Sequence, residues 1–247
     1  MISRRARQRG RATSGTLADQ AYHEIRSRIL DGVYPLGCAL SRRVLATELG
    51  MSFLPISEAL QRLEHDGLVE SRPRAGTRVR VPAAAEILER YQLREALETQ
   101  SARLFTVNAT KAQRTEIVRQ AKRVDKLYRR LLDAAPLGPE NQAFQTDHVA
   151  FHSRIAELSR CHLLKVALER EQVLIFNALF DVASNQRNLP PDFHLNLAEA
   201  LVSGDVERAD AAMRAHINFG QAAVIKAVPK PDPRRWRMAV RQGDSKG

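Results

Sequence analysis

From residue 39 to residue 82 the chain reads ALSRRVLATELGMSFLPISEALQRLEHDGLVESRPRAGTRVRVP. Ser41 is placed to cap a short helix that ends at Gly50, and Ser52 to cap a second that runs to about Asp66. Ile56, Ala59, Leu60 and Leu63 fall at i, i+3, i+4 and i+7, so one face of the second helix must be buried. Residues 69–70 and 77–81 read as two short strands around an Arg/Pro/Gly tip at 72–76. Helix, tight turn, helix and hairpin in this order predict a winged helix-turn-helix. That motif sets a helix N-terminus in the DNA major groove with a basic hairpin beside it.

The charge is distributed as that motif requires. The 247-residue chain carries a net +11, unevenly spread. Residues 1–80 hold 14 Arg against 8 Asp/Glu, residues 81–227 hold 19 Lys/Arg against 18 Asp/Glu, and residues 228–247 hold 6 against 2. A nucleic-acid partner suits the basic ends, and a different task suits the near-neutral middle. No run of about 18 apolar residues is present, so no membrane span is expected. The basic N-terminus lacks the apolar core of a signal peptide. Two cysteines, Cys38 and Cys161, make no disulfide framework, and a cytoplasmic location is expected.

Residues 1–15 read as a disordered basic arm and 228–247 as a disordered basic tail. Residues 16–32 read as a helix with Leu17, Ala21, Ile25 and Ile29 or Leu30 on one face. The DNA-binding domain is expected over 16–82. From Ala83 the pattern is helical throughout, with helices near 84–107, 110–133, 139–160, 162–183, 189–203 and 205–226. Thr110 and Asp205 suit N-caps, and Gly204 a helix stop. The fold class expected is therefore mainly α: a winged helix-turn-helix, then an all-α six-helix bundle over 83–227.

On the recognition helix the buried stripe leaves Phe53, Ser57 and Gln61 in a row on another face. Ser52 and the first backbone N–H groups suit a phosphate. Gln61 can read adenine, and Phe53 can pack on a thymine methyl. Arg72, Arg74 and Arg78 in the wing are expected to meet phosphate or the minor groove.

Four histidines form a second constellation. His148 and His152 are adjacent on one helix face. His194 and His216 lie 10 residues before and 12 after Gly204. At about 1.5 Å per residue they reach nearly the same level on neighbouring helices. Phe144, Phe151, Ile155 and Leu158 bury the helix that carries the first pair. Spacing alone leaves the facing of these imidazoles open.

With both halves in view, the chain resembles a GntR-family transcription regulator of the FCD type, over about residues 16–226. The matching residues are ILDGVYPLG, VLATELGMS, PISEAL, RLEHDGLVE and RPRAGTRV, then YQLREALE, Phe151-His152, and H-x5-A-x3-GD from His194, ending at His216. The resemblance implies a homodimer on a two-fold symmetric double-stranded DNA operator. It implies a helical domain that senses a small organic acid, often through a metal, and repression as the default. Arg43 matches a usual DNA-contacting arginine, whereas Phe53 and Ser57 stand where the family has arginines. Arg94 matches the effector-facing arginine, able to grip a carboxylate through two hydrogen bonds. A surface pair with Glu98 is its plain alternative. His148 takes the place of the usual Asp ligand, with Asp147 one residue out of phase, and Cys161 replaces a usual asparagine.

His148, His152, His194 and His216 are thus the expected metal ligands, with zinc favoured and nickel or manganese also able to bind imidazole. Four neutral imidazoles leave the full +2 on the ion and so draw an anion strongly. A degenerate site that binds the acid without metal is the competing reading. Two other classes stand beside a regulator: a metal-dependent enzyme with a fused DNA-binding module, and an architectural DNA binder of low specificity. Against an enzyme, the chain has no HExxH, no nucleophile elbow and no clear general base beside the histidines.

Overall fold

The computed structural model describes residues 15–133, 139–170 and 189–227. The expected arm before residue 15, the tail after 227 and most of the Pro136–Pro139 break lie outside the described residues. The first domain holds α1 (Leu17–Leu30), β1 (Ala39–Leu40), α2 (Arg42–Leu49), α3 (Phe53–His65), β2 (Val69–Arg72) and β3 (Gly76–Val79). The second holds α4 (Ala84–Asn108), α5 (Lys111–Leu132), α6 (Pro139–Leu158), α7 (His162–Arg170), α8 (Phe193–Val202) and α9 (Val206–Ala227). The chain is mainly helical, a winged helix-turn-helix followed by an all-helical domain.

Local chemistry accounts for the element ends. Thr16 and Asp19 close a capping box at the start of α1, and Thr110 and Gln113 do the same for α5. α2 ends on Gly50 with φ 62°, a left-handed turn that glycine accepts without strain. Arg208 N–H donates to Asp205 Oδ1 at 3.0 Å, so Asp205 caps α9 as expected. Pro190 and Pro191 delay α8, whose first residue is Phe193 rather than 189. The helix expected over 162–183 is described only as His162–Arg170.

The winged domain packs α1 on α3. Ala18, Ala21, Ile25 and Ile29 face Ile56, Ala59, Leu60 and Leu63, all buried. Leu17, expected on this face, is 56% exposed. At about 100° per residue it lies on the edge of the stripe away from Ile25 and Ile29, in the first turn of the helix, and Ala18 is buried in its place. The sheet order is β1-β3-β2, antiparallel throughout. β1 is a strand that the sequence reading lacked. It pairs Ala39 with Arg78 and Leu40 with Thr77, which makes β3 the central strand.

The two domains are joined by specific contacts. Arg80 donates to both carboxylate oxygens of Glu86, at 2.8 and 2.7 Å. Gln142 on α6 donates to Ser27 Oγ at 3.2 Å and Asp31 Oδ2 at 3.3 Å, at the end of α1. Among the described residues no helix is long and apolar enough to cross a membrane.

Candidate functional site

The DNA-reading surface forms around the start of α3. Ser52 occupies the N-cap position, but its side chain makes no capping hydrogen bond. The first N–H groups of α3 are therefore not capped by Ser52, as suits a helix start that meets a phosphate. Arg43, Ser52, Phe53, Gln61, Arg72 and Arg74 are exposed, and Ser57 is half-buried. Phe53, at 57% exposure, turns more than half of its surface to solvent. Arg74 stands at the wing tip with φ 62°. Arg78 departs from expectation. It lies on the central strand between Ala39 and Glu70 and is only 4% exposed, so it does not join Arg72 and Arg74 in solvent.

In the helical domain α6, α8 and α9 bring the four histidines together. His148 is 7% exposed, His152 2%, His194 0% and His216 7%. Their rings pack at centroid separations of 4.8 to 6.3 Å. One ligand atom from each of His148, His194 and His216 lies within 4.8 Å of the others. His148 is thus a member of that trio. His152 presents Nε2 at 3.1 Å from His148 Nε2 and turns Nδ1 toward Glu98. In tetrahedral zinc the nitrogens stand about 3.3 Å apart, so a small contraction of this cluster would enclose an ion. Among the described residues, His194 Nε2 and His216 Nδ1 are buried without a hydrogen-bond partner. Buried orphan nitrogens within one histidine cluster fit a metal's donor set.

Two carboxylates stand behind the imidazoles. Asp125 on α5 accepts from His194 Nδ1 at 2.7 Å, from the His194 N–H at 3.1 Å and from the Leu195 N–H at 2.9 Å. That bond places the proton on Nδ1 and leaves the Nε2 lone pair facing the cluster. Glu98 on α4 is 2% exposed and meets Arg94 Nε at 2.5 Å. The Arg94–Glu98 pair is therefore present, but buried rather than on the surface. Asp147, the out-of-phase acid, pairs instead with Arg123 away from the cluster.

Burial sets the protonation states. It holds His148 and His216 well below the ordinary imidazole range, with the neighbouring imidazoles and Arg94 adding to the effect. His194 is also lowered by burial, against the opposing pull of Asp125. Burial alone would raise the Glu98 carboxyl, but Arg94 and His152 outweigh it and hold it at about 2. His148, His194 and His216 held neutral, with ionised carboxylates behind the cluster, are in the form that binds a divalent ion.

Comparison with known proteins gives a consistent result. Residues 17–79 match the family described as "Bacterial regulatory proteins, gntR family", and residues 89–219 match the FCD domain. The "Probable D-xylose utilization operon transcriptional repressor" of Paenarthrobacter nicotinovorans is 29% identical over 211 residues, 84% of this chain and 88% of that protein. The "HTH-type transcriptional repressor RspR" of Escherichia coli (strain K12) is 24% identical over 211 residues, 80% and 84% of the two chains. Among solved structures, a "putative transcriptional regulator GntR" from Rhodococcus sp. RHA1 aligns with a TM-score of 0.70 and 22% identity, covering 87% of this chain and 100% of that one. E. coli McbR/YncC aligns at 0.67 with 20% identity, covering 86% and 99%. These structural likenesses carry the fold.

Proposed function

The chain belongs to the GntR family of bacterial regulatory proteins and carries an FCD domain, and on that premise we propose that it is a repressor that senses a small organic acid through a bound divalent metal. It is a DNA-binding transcription regulator and not an enzyme. The finer reading rests on one observation: four buried imidazoles converge, and two of them are backed by carboxylates. His148, His194 and His216 would hold the ion, with His152 as the fourth donor. The metal would supply a Lewis-acidic positive centre that attracts a carboxylate.

Charge favours a monoanionic group at this centre. Glu98 and Asp125 together cancel the +2 of the ion, and Arg94 restores a single positive charge. Arg94 Nε is engaged by Glu98, so an effector carboxylate would share the guanidinium with Glu98. The ion is taken as zinc, since imidazole suits it, with nickel or manganese as the other cations the donor set accepts. For DNA, one short recognition helix spans too few base pairs alone, so we propose a homodimer on a two-fold symmetric operator. The units proposed are 16–82 for DNA and 83–227 for the effector.

Elemental analysis of purified protein tests the centre, followed by calorimetric titration with carboxylates. About one divalent ion per chain is expected, and the paired change His194→Ala, His216→Ala should abolish its retention. Arg94→Lys should spare the metal and weaken the acid, because a point charge replaces a planar two-bond donor. Acid binding should shift operator affinity by about 1–3 kcal/mol. Metal content indifferent to the double histidine change would remove the site.

A further inference from the structure

The first two turns of the recognition helix offer no cation to DNA. Residues 53–61 read FLPISEALQ, and the first basic residue of α3 is Arg62. Its guanidinium is bound to Asp19 of α1 at 2.6 Å and lies 4.3 Å over the Tyr22 ring. Arg62 is therefore committed to the α1 side. Guanine is read in the major groove chiefly by Arg or Lys, and α3 has neither to spare at its leading end. What it exposes there instead is apolar: Phe53 at 57% and Leu54 at 67%. These are its first two residues, the part of a recognition helix that reaches base edges.

We propose that Phe53 and Leu54 read the 5-methyl group of thymine, so that methyl positions rather than guanine contacts specify each operator half-site. The inference rests on the operator-binding role above and deepens it. The only apolar feature of the major-groove edge is that methyl, and burying it against Phe53 and Leu54 removes apolar surface from water on both sides. The surroundings favour nucleic acid over an apolar protein surface. Arg42 and Arg43 on α2, and Arg72 and Arg74 on the wing, are exposed in the same winged domain and suit phosphates. Gln61 is exposed two turns further along and can complete an adenine contact. The same pocketless apolar surface takes 5-methylcytosine, whose methyl occupies the equivalent place in the groove.

The test begins with selection of bound DNA from a random pool by the full chain. Each thymine of the selected sequence is then replaced singly by deoxyuridine, which deletes only the methyl. At one or more positions per half-site, wild-type affinity should fall about fourfold, the ratio equivalent to ~0.8 kcal/mol for one buried methylene-sized group. In a site carrying a C·G pair at that position, 5-methylcytosine in place of cytosine should tighten binding by a similar factor. The variant Phe53→Ala, Leu54→Ala should bind thymine and deoxyuridine equally there; both side chains are exposed, so the fold is retained. Equal wild-type affinity for the two bases at every position overturns the inference, as does an unchanged ratio in the variant. A variant that alters self-association while keeping the ratio also overturns it and assigns the patch to contact between copies. Failure to enrich any sequence removes specific operator reading itself, a result separate from the other three.

Discussion

Asp125 carries more of the site than its position in sequence suggests. One carboxylate accepts three hydrogen bonds, two of them from backbone N–H groups at the start of α8 and one from the His194 ring. It therefore anchors the helix and fixes the imidazole in a single act. Asp125→Asn keeps an acceptor oxygen for the backbone but offers the ring a neutral amide, which neither fixes the tautomer nor adds negative charge. Metal affinity is expected to fall about 10- to 100-fold, with a small change in unfolding midpoint; competition against a chromophoric chelator measures it. An unchanged affinity would mean that His194 is oriented by something else. Spacing set His194 and His216 at nearly the same level about the Gly204 turn and paired His148 with His152, but their grouping into one site came from the family resemblance, since spacing leaves the facing of the rings open. Asp125 was not legible from sequence, since 69 residues separate it from His194 and only the packing of α5 on α8 brings them together. Glu98 was visible as a partner for Arg94, but its burial and its contact with His152 were not.

At the scale of elements, α4, α5 and α8 are locked by one side chain. Arg114, in the first turn of α5, donates from Nε to Ala109 O at 3.2 Å, from Nη1 to Val202 O at 3.2 Å and from Nη2 to Thr106 O. These carbonyls belong to the last turns of α4 and α8, where helix dipoles end negative and backbone acceptors lack partners. Thr106 Oγ1 adds a bond to Leu201 O at 3.1 Å. Arg114→Met keeps the aliphatic stem and removes all three donors. It should destabilise the protein by about 1–3 kcal/mol, read as a lower urea midpoint with unchanged slope; an unchanged midpoint would show that water replaces the guanidinium at no cost. Helix positions were readable because caps and 3.6-residue periods are local: Thr16, Ser41, Thr110 and Asp205 mark starts within a residue or two. β1 was not readable, because two residues carry no period and become a strand only by pairing with β3. The same pairing turned Arg78 from an expected wing-surface cation into a residue of the central strand.

At the scale of the whole molecule, charge and burial divide the work. The N-terminal 80 residues carry the excess of Arg that a phosphate backbone attracts, whereas the helical domain is near neutral and buries Arg94, Glu98 and Asp125 beside its histidines. The two are physically continuous: α6 carries His148 and His152, and its Gln142 touches the end of α1, which in turn packs on α3. A shift of α6 on binding at the proposed centre would therefore reach the element beneath the recognition helix. The buried groups also set how the metal-free protein answers to acid. His148, His194 and His216 all have folded-state pKa values depressed below the ordinary 6.5, chiefly by burial. In the unfolded chain they take up protons near 6.5, so as pH falls the unfolded state binds more protons than the folded one. Their contribution is present above pH 6.5 and lost as pH falls toward the folded values. Glu98 and Asp125 act in the same direction lower down: the Glu98 contribution is held above its ordinary 4.5 and lost as pH approaches about 2. The thermal midpoint of metal-free protein should therefore drop steadily between pH 7 and 5, in a range where surface carboxylates are still mostly ionised. Protein supplied with zinc should keep a higher midpoint at pH 7, and the two curves should converge as protons displace the ion from its imidazoles. A midpoint flat from pH 7.5 to 5 without metal would show that these imidazoles are not held neutral by burial.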